Sequence, residues 1–360
     1  MSTKFTYQII REARIKKGLT LRNVSSLLDI DVAILSKMER GERNLTKEIL
    51  MKLARIYKFN TNELLISFFS DRIVNELYKE GNANEVLKVA EEKLKNIYLP
   101  REVTISTDLT KILNEIDAIK KNVNKLRPFD KTQIKKLEEY YEINYTFDSN
   151  KIEGNTLTLQ ETALVVEKGM TIGGKSLREH LEAINHYEAI GYIKEIIGKK
   201  EFFNEWILKN IHLLILRGID DKNAGKYREI EVRISGSKHI PPEFFKLPEM
   251  MKKYFDYYEL NIKKLHPVIL AADMHQRLVD IHPFVDGNGR TARLVMNLIL
   301  LQNSYSIANI KGDLNNRIEY YKALEISQTE NNISHFRLLV ANEVKKSLKD
   351  YLDVLSLKKN

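Results

Sequence analysis

The sequence predicts a mainly α protein: a small all-α unit, then a larger helical core carrying one short β-hairpin. Three observations predict this. Apolar residues recur at helical spacing along nearly the whole 360-residue chain. Only Glu231 to Ile240 reads like paired strands around a glycine turn, closed by Pro241-Pro242. The charge is also uneven: residues 1–66 carry 13 Lys+Arg against 7 Asp+Glu, while the whole chain carries 58 against 49. A basic segment on a nearly balanced remainder points to a nucleic-acid-binding module attached to something else. With 43% apolar and 30% charged residues, a soluble globular chain is expected. The absence of cysteine excludes disulfide scaffolds, zinc ribbons and cysteine nucleophiles, and fits a cytoplasmic setting. No signal-peptide core and no apolar run of membrane length is present, so no membrane partner is expected.

The elements follow in order. A first helix carrying Ile10 and Ala13 stops at Gly18. Thr20 caps a second, with Val24, Leu27 and Leu28 inward. After the Asp29-Ile30-Asp31 corner, Asp31 caps a third over 32–39, burying Ile34, Leu35 and Met38. Thr46 opens a fourth. Helices over 71–79 and 83–98, separated by Gly81-Asn82 and stopped by Pro100, form a connector over 67–100 between a domain at 1–66 and one at 101–360. In the latter, helices are expected over 109–126, 131–148, 271–281 and 290–301.

Two short helices joined by a tight corner make helix-turn-helix geometry, whose second helix can enter the major groove. From Leu19 to Gly41 the chain resembles the phage-repressor-like (Cro/repressor, or XRE) family, with Ser25, Ile30, Ile34 and the Glu39-Arg40-Gly41 exit in its pattern. The resemblance implies binding to duplex DNA, often as a homodimer. Arg22, Lys37, Arg40, Arg43 and Lys47 stand as phosphate contacts. Ser36 and Lys37 are the polar groups along the recognition helix, whose start (Asp31, Val32, Ala33) offers no strong base-edge donor. Sequence specificity is left open, and a module for protein contacts alone is the alternative.

The sharpest chemical signal is Ile281-His282-Pro283-Phe284-Val285-Asp286-Gly287-Asn288-Gly289-Arg290-Thr291-Ala292-Arg293. A helix ends near His282 because Pro283 disfavours helical geometry in the residue before it. Phe284, the large apolar side chain of the loop, is expected to plug into the core. Gly287, Asn288 and Gly289 let backbone amides turn inward at the start of a new helix, where amides and dipole both favour an anion. Arg290 and Arg293, three apart, can grip phosphate oxygens. Asp286 is a hard oxygen ligand suited to Mg²⁺, and His282 can accept a proton near neutral pH. Together these describe phosphate-linked transfer to a hydroxyl.

The motif resembles the signature of the Fic family, His-Pro-Phe-x-(Asp/Glu)-Gly-Asn-Gly-Arg, and the likeness extends over about residues 101–350. It implies that His282 deprotonates a Ser, Thr or Tyr hydroxyl of a target protein, which attacks the α-phosphate of ATP. Asp286 would hold Mg²⁺, Gly287, Asn288 and Gly289 would cradle phosphate, and Arg290 and Arg293 would bind the distal phosphates. In the phosphate-transferring Doc branch the second glycine becomes Lys; Gly289 is retained here, which argues for nucleotidyl transfer.

A second motif is Ser149-Asn150-Lys151-Ile152-Glu153-Gly154. Ser149 and Glu153 share a helix face, and Gly154 can end that helix. The segment, around 145–154, resembles the family's inhibitory helix, (Ser/Thr)-x-x-x-Glu-(Gly/Asn). That implies that Glu153 binds Arg290 and blocks productive ATP binding. Gly225-Lys226-Tyr227-Arg228 and the hairpin resemble the family's flap, with Ile234, His239 and Ile240 as target-clamping residues. Tyr320 and Tyr321 resemble the adenine-pocket helix, and Gln328 lies where relatives often carry Asn. His180, His186, His212 and His275 read as structural, since no metal-binding spacing joins them. The expected function is a self-inhibited, ATP- and Mg²⁺-dependent protein adenylyltransferase linked to DNA. The alternatives are an AMP-removing enzyme using Glu153, or a transcription regulator whose core senses nucleotide.

Overall fold

A computed structural model describes residues 4–78, 82–98, 105–126 and 131–356. The chain divides into two compact units, Met1–Val103 and Thr104–Asn360.

The first unit contains α1 (Thr6–Lys16), α2 (Leu21–Leu28), α3 (Val32–Glu39), α4 (Lys47–Tyr57), α5 (Thr61–Leu77) and α6 (Ala83–Tyr98). Its short helices start on side-chain caps. Thr20 Oγ1 accepts the Asn23 N–H at 3.1 Å, Asp31 Oδ1 that of Ala33 at 2.6 Å, and Thr46 Oγ1 that of Ile49 at 3.2 Å. Each such cap is worth about 1 kcal/mol. Asp29 adopts the left-handed geometry (φ 57°) that the corner requires. Ile10, Val24, Leu28, Leu35, Leu50, Leu53 and Phe68 form the core.

Sequence patterning erred here in three places. Leu27 points outward, because Val24 and Leu28 already fill the inward stripe of an eight-residue helix. Ile34 is only half-buried. The helix expected from residue 71 begins at Thr61, since nothing in between breaks it and Phe68 needs a helical register to reach the core. Gly81 and Pro100, read as its punctuation, lie outside the described residues. Glu39, in the exit motif, is buried and takes Arg14 through both Nε and Nη2 at 2.8 Å.

The second unit comprises α7 (Thr107–Lys125), α8 (Lys131–Ile152), α9 (Leu159–Lys168), α10 (Leu177–Lys199), α11 (Glu205–Leu216), α12 (Leu247–Asn261), α13 (Pro267–Ile281), α14 (Asn288–Gln302), α15 (Leu314–Thr329) and α16 (Ser334–Ser356). Helices α13 and α14 are buried on nearly every face and pack on each other as the central hairpin. Their connecting loop, residues 282–287, therefore sits between two almost wholly buried helices. Around the pair lie α10 and α11 on the α14 side, α12 and α16 on the α13 side, and α8 against α10 and α14.

The expected hairpin is not formed: among the described residues there is no strand. At 231–240 only a turn survives, with the Ser237 N–H donating to the Ile234 carbonyl at 3.2 Å and Gly236 at φ 76°. Arg228 explains this physically, since its guanidinium takes the carbonyls of Ile230 and Pro242 and pins the two arms to itself. Pro241 and Pro242 offer no N–H to a ladder, and so short a ribbon is marginal alone. Among the described residues no helix is long and apolar enough to cross a membrane.

Candidate functional site

The loop between α13 and α14 is shaped by its own residues. His282 ends α13 in left-handed geometry (φ 49°), its N–H still donating to the Leu278 carbonyl at 2.9 Å. Phe284 is fully buried. Asn288 closes the loop on itself: its Oδ1 accepts the Phe284 N–H at 3.0 Å and its Nδ2 donates to the Phe284 carbonyl at 2.9 Å. The Asn288 side chain therefore braces the turn, leaving only its backbone for a ligand. Gly287 takes φ 75° at the N-terminus of α14.

The His282 ring is mostly buried. Its Nδ1 lies 3.3 Å from the Val279 carbonyl, which can only accept, so the proton sits on Nδ1 and Nε2 presents its lone pair. Burial lowers its pKa to about 4, against the Val279 hydrogen bond, and keeps the ring neutral. A neutral imidazole with a free Nε2 is a competent general base.

Two buried arginines face this loop from α14. Arg293 donates from Nε to Ser149 Oγ at 3.0 Å, from Nη2 to the Ser149 carbonyl at 2.9 Å and from Nη2 to Glu153 Oε1 at 2.7 Å. Burial works against its charge, but the Glu153 carboxylate together with Tyr320 and Tyr145 outweighs it and the net shift is upward. The same carboxylate lies over Gly289 so closely that a Cβ there would collide with it. Glu153 thus covers the amide turn while neutralising Arg293. This corrects the expected partner: Arg293, not Arg290, holds Glu153.

Arg290 meets Glu182 of α10, 3.2 Å from Nη1, and Asp286, 3.7 Å from Nη2. Its Nε and Nη1 are buried without a hydrogen bond. Two charged donors are therefore unspent beside the amide turn, the complement of a phosphate. Glu182 is itself oriented by Asn155 Nδ2 at 3.0 Å and Arg178 Nε at 3.2 Å.

Asp286 accepts the Gly287 N–H on Oδ1 at 2.6 Å and Arg178 Nη2 on Oδ2 at 2.7 Å. Burial pushes its pKa up, but Arg290, the Gly287 N–H and Arg178 outweigh that and hold it below the usual carboxylate range. Among the described residues no three His, Asp or Glu side chains converge as a self-sufficient metal cage. A lone ionised carboxylate fits a cation that draws its other ligands from phosphates and water, as Mg²⁺ does.

Other residues singled out in the sequence fall as follows. Tyr320 is buried, its hydroxyl 3.1 Å from His275 Nε2 and 3.4 Å from Arg293 Nη1. Half-exposed Tyr321 donates to the Ile152 carbonyl at 3.1 Å, one residue before Glu153. Gln328 bonds Asp280, whose pKa burial raises to about 6. His239 Nε2 lies 2.8 Å from the Asp280 carbonyl; Ile234 is half-buried and Ile240 exposed. Arg22, Lys37, Arg40 and Arg43 are exposed on the first unit and Ser36 is half-buried; Arg40 pairs with Glu42 at 2.7 Å.

Sequence reasoning passed over Arg178 and Glu182, which stand more than a hundred residues before their partners on the loop. It gave Arg228 no role at the loop, yet this buried side chain donates from Nε to the His282 carbonyl at 2.9 Å, and its N–H reaches the Pro283 carbonyl at 2.9 Å. It also read His212 as merely structural. That ring, its pKa lowered to about 4 by burial, bonds the Asp286 carbonyl at 2.9 Å.

Residues 202–300 match the Fic/DOC family and residues 10–64 a helix-turn-helix family. The chain is 34% identical over 223 residues to a protein adenylyltransferase Fic of Culex quinquefasciatus, which covers 61% of this chain and 43% of that protein. It is 36% identical over 217 residues to one of Nematostella vectensis, covering 60% and 49%. The chain thus spans less than half the length of these relatives. The structure superposes on a Fic-domain-containing signaling protein from Bacteroides thetaiotaomicron with TM-score 0.63 at 26% identity, covering 67% of this chain and 97% of that one. It shares its fold with residues 134–508 of Fic-1 from C. elegans (TM-score 0.63, 24% identity, 97% and 99% covered).

Proposed function

Starting from a chain that carries a Fic/DOC family domain behind a helix-turn-helix domain, we propose that it is a self-inhibited protein adenylyltransferase. His282 Nε2 takes the proton of a Ser, Thr or Tyr hydroxyl on a target protein. The freed oxygen attacks the α-phosphorus of ATP, the bond to the bridging oxygen of the β-phosphate breaks, and pyrophosphate leaves an AMP ester behind. The backbone amides of 288 and 289, that of Gly287 once Asp286 Oδ1 releases it, and Arg290 and Arg293 bind the phosphates. Mg²⁺ held by Asp286 would neutralise phosphate charge, and Arg178 would have to yield Oδ2 to it. Gly289, standing where the phosphate-transferring Doc branch carries Lys, supports nucleotidyl rather than phosphate transfer. The target is aligned along 231–240, whose arms carry no partner strand and can take one by addition.

One observation carries the reading: the neutral His282 base, the amide turn and the unspent Arg290 donors share one loop, with Glu153 on Arg293 across its mouth. In this arrangement ATP cannot use Arg293 until Glu153 leaves. The test is transfer from α- and γ-labelled ATP by the wild type, Glu153→Gly and His282→Ala. Label from the α position alone, strong in Glu153→Gly and absent in His282→Ala, is the expected result. Label from the γ position would overturn the nucleotide orientation. Because the Glu153 carboxylate overhangs the loop, AMP removal is the second reading; loss of AMP from a modified target with wild type but not Glu153→Gly would favour it. The first unit would bind DNA, with a homodimer as its expected form, and equal transfer with and without bound DNA would sink any coupling between them.

A further inference from the structure

We infer that His212 is a positioning residue for the catalytic loop: through the Asp286 carbonyl it fixes the peptide from which the Asp286 carboxylate and the Gly287 amide both project. This rests on reading the loop as a nucleotide site.

The ring stands fully buried on α11, 74 residues before the loop. Its Nδ1 accepts the Gly225 N–H at 2.9 Å, and its Nε2 lies 2.9 Å from the Asp286 carbonyl oxygen. An amide N–H only donates and a carbonyl only accepts, so the two bonds together demand the tautomer with its proton on Nε2. The ring lies flat on Phe284, centroids 3.6 Å apart at 7°. A Cβ on Gly287 would sit 3.4 Å from His212 Nε2 and 3.2 Å from Ile215 Cγ2. One side chain thus touches Phe284 and Asp286 and closes off the space that a side chain at Gly287 would enter. On its other edge it anchors Gly225, which leads to Arg228 and its hold on His282 and Pro283.

A polar ring buried merely to fill space would be replaced without loss by an apolar one of similar size, since burying such a group is unfavourable unless its bonds are made. Here the bond aimed at Asp286 orients the group next in line to the ligand, as outer-shell partners do in other sites.

The two bonds can be separated chemically. In His212→Asn the amide oxygen falls near the place of Nδ1, keeping the Gly225 bond and losing the donor to Asp286. In His212→Gln the amide nitrogen reaches the place of Nε2, keeping the donor and losing the acceptor. Both are made in the full chain carrying Glu153→Gly. Transfer kinetics, calorimetric binding of ATP with and without Mg²⁺, melting temperature and the ¹⁵N spectrum of labelled histidine are then compared. The expectation is a fall in kcat of about tenfold or more for Asn, recovery to within about threefold for Gln, and similar melting temperatures for the two. ATP binding should weaken more in Asn than in Gln when Mg²⁺ is present, and equally little without it. The spectrum should show the His212 proton on Nε2. Equal losses in Asn and Gln, losses that follow melting temperature alone, or a proton on Nδ1 would overturn the inference. If Glu153→Gly with His212 intact neither bound ATP nor transferred label, the nucleotide reading would fall and the inference with it.

Discussion

On the proposed reading, His282 and Glu153 decide the chemistry residue by residue. Because burial lowers His282 from 6.5 to about 4 and Glu153 is among the groups that raise it, kcat/KM of Glu153→Gly should stay flat from neutrality down to about pH 5.5, with its acid limb no higher than about 4. A limb centred at 6.5 would mean that the ring titrates in open water. The same shift sets a stability sign. Between pH 6.5 and about 4 the unfolded chain binds the proton that folded His282 refuses, so stability falls as pH drops through that window. His282→Ala should shallow that slope in urea unfolding measured at several pH values; an unchanged slope would assign it to other groups. Glu153 acts through Arg293. Breaking a buried pair costs about 3–5 kcal/mol, less where one partner is part-exposed as Glu153 is, so about 2–3 kcal/mol is the reasonable size of the lock. Glu153→Gly should then raise initial transfer rates roughly 30- to 150-fold. A rise below about threefold would mean that the closed arrangement is not what limits the wild type.

The lock belongs to helices as well as to single residues. Glu153 can cover the loop only while the C-terminal end of α8 stays in place, and two elements hold it there. Asp148 accepts Asn309 Nδ2 at 2.7 Å, Lys311 Nζ at 3.0 Å and the Gly312 N–H at 3.0 Å, docking the segment before α15 onto α8. Gly312 permits this, since a Cβ would approach the Asp148 carbonyl and Lys151 Cβ to 2.8 Å. From α15, the Tyr321 hydroxyl secures the Ile152 carbonyl. Losing that one bond costs about 1 kcal/mol, so Tyr321→Phe should raise basal transfer roughly fivefold and change nothing once Glu153 is Gly. Measuring both backgrounds separates the roles: a drop in both would tie the hydroxyl to the nucleotide instead. What was legible in the sequence divides along the same line. The caps at Thr20, Asp31 and Thr46, the corner at Asp29 and the α13–loop–α14 junction depend on neighbours within a few residues, and pattern reveals them. Partners far along the chain leave no such trace: Glu182 on Arg290, Arg178 on Asp286 and Asp148 under Gly312 look like ordinary helix-surface charges until the helices pack. The hairpin failed for a different reason: Arg228, just outside the strand pattern, takes the carbonyls of Ile230 and Pro242 that flank it.

At the scale of the whole molecule, the excess charge is concentrated where DNA binding is expected. Residues 1–66 hold 13 basic against 7 acidic side chains, out of a net +9 for the chain. Neutralising a phosphate releases a condensed counterion, so the logarithm of affinity falls with the logarithm of salt at about 0.9 per contact. Of the five exposed cations on this unit that read as phosphate contacts, Arg22, Lys37, Arg43 and Lys47 stand apart from Arg40, which shares its charge with Glu42 at 2.7 Å. About four effective contacts give a slope near −3.6, a loss of roughly 150-fold between 50 and 200 mM salt. Fluorescence anisotropy of the full chain on a labelled duplex reads that slope directly. Arg43→Ala should lower it by about 1, whereas Arg40→Ala should change it less because its partner already offsets the charge. The start of the recognition helix carries no strong base donor, so duplexes of different sequence should differ little beside the salt effect. A slope near zero, unmoved by either substitution, would assign the unit to protein contacts and remove DNA from any account of how Glu153 is released.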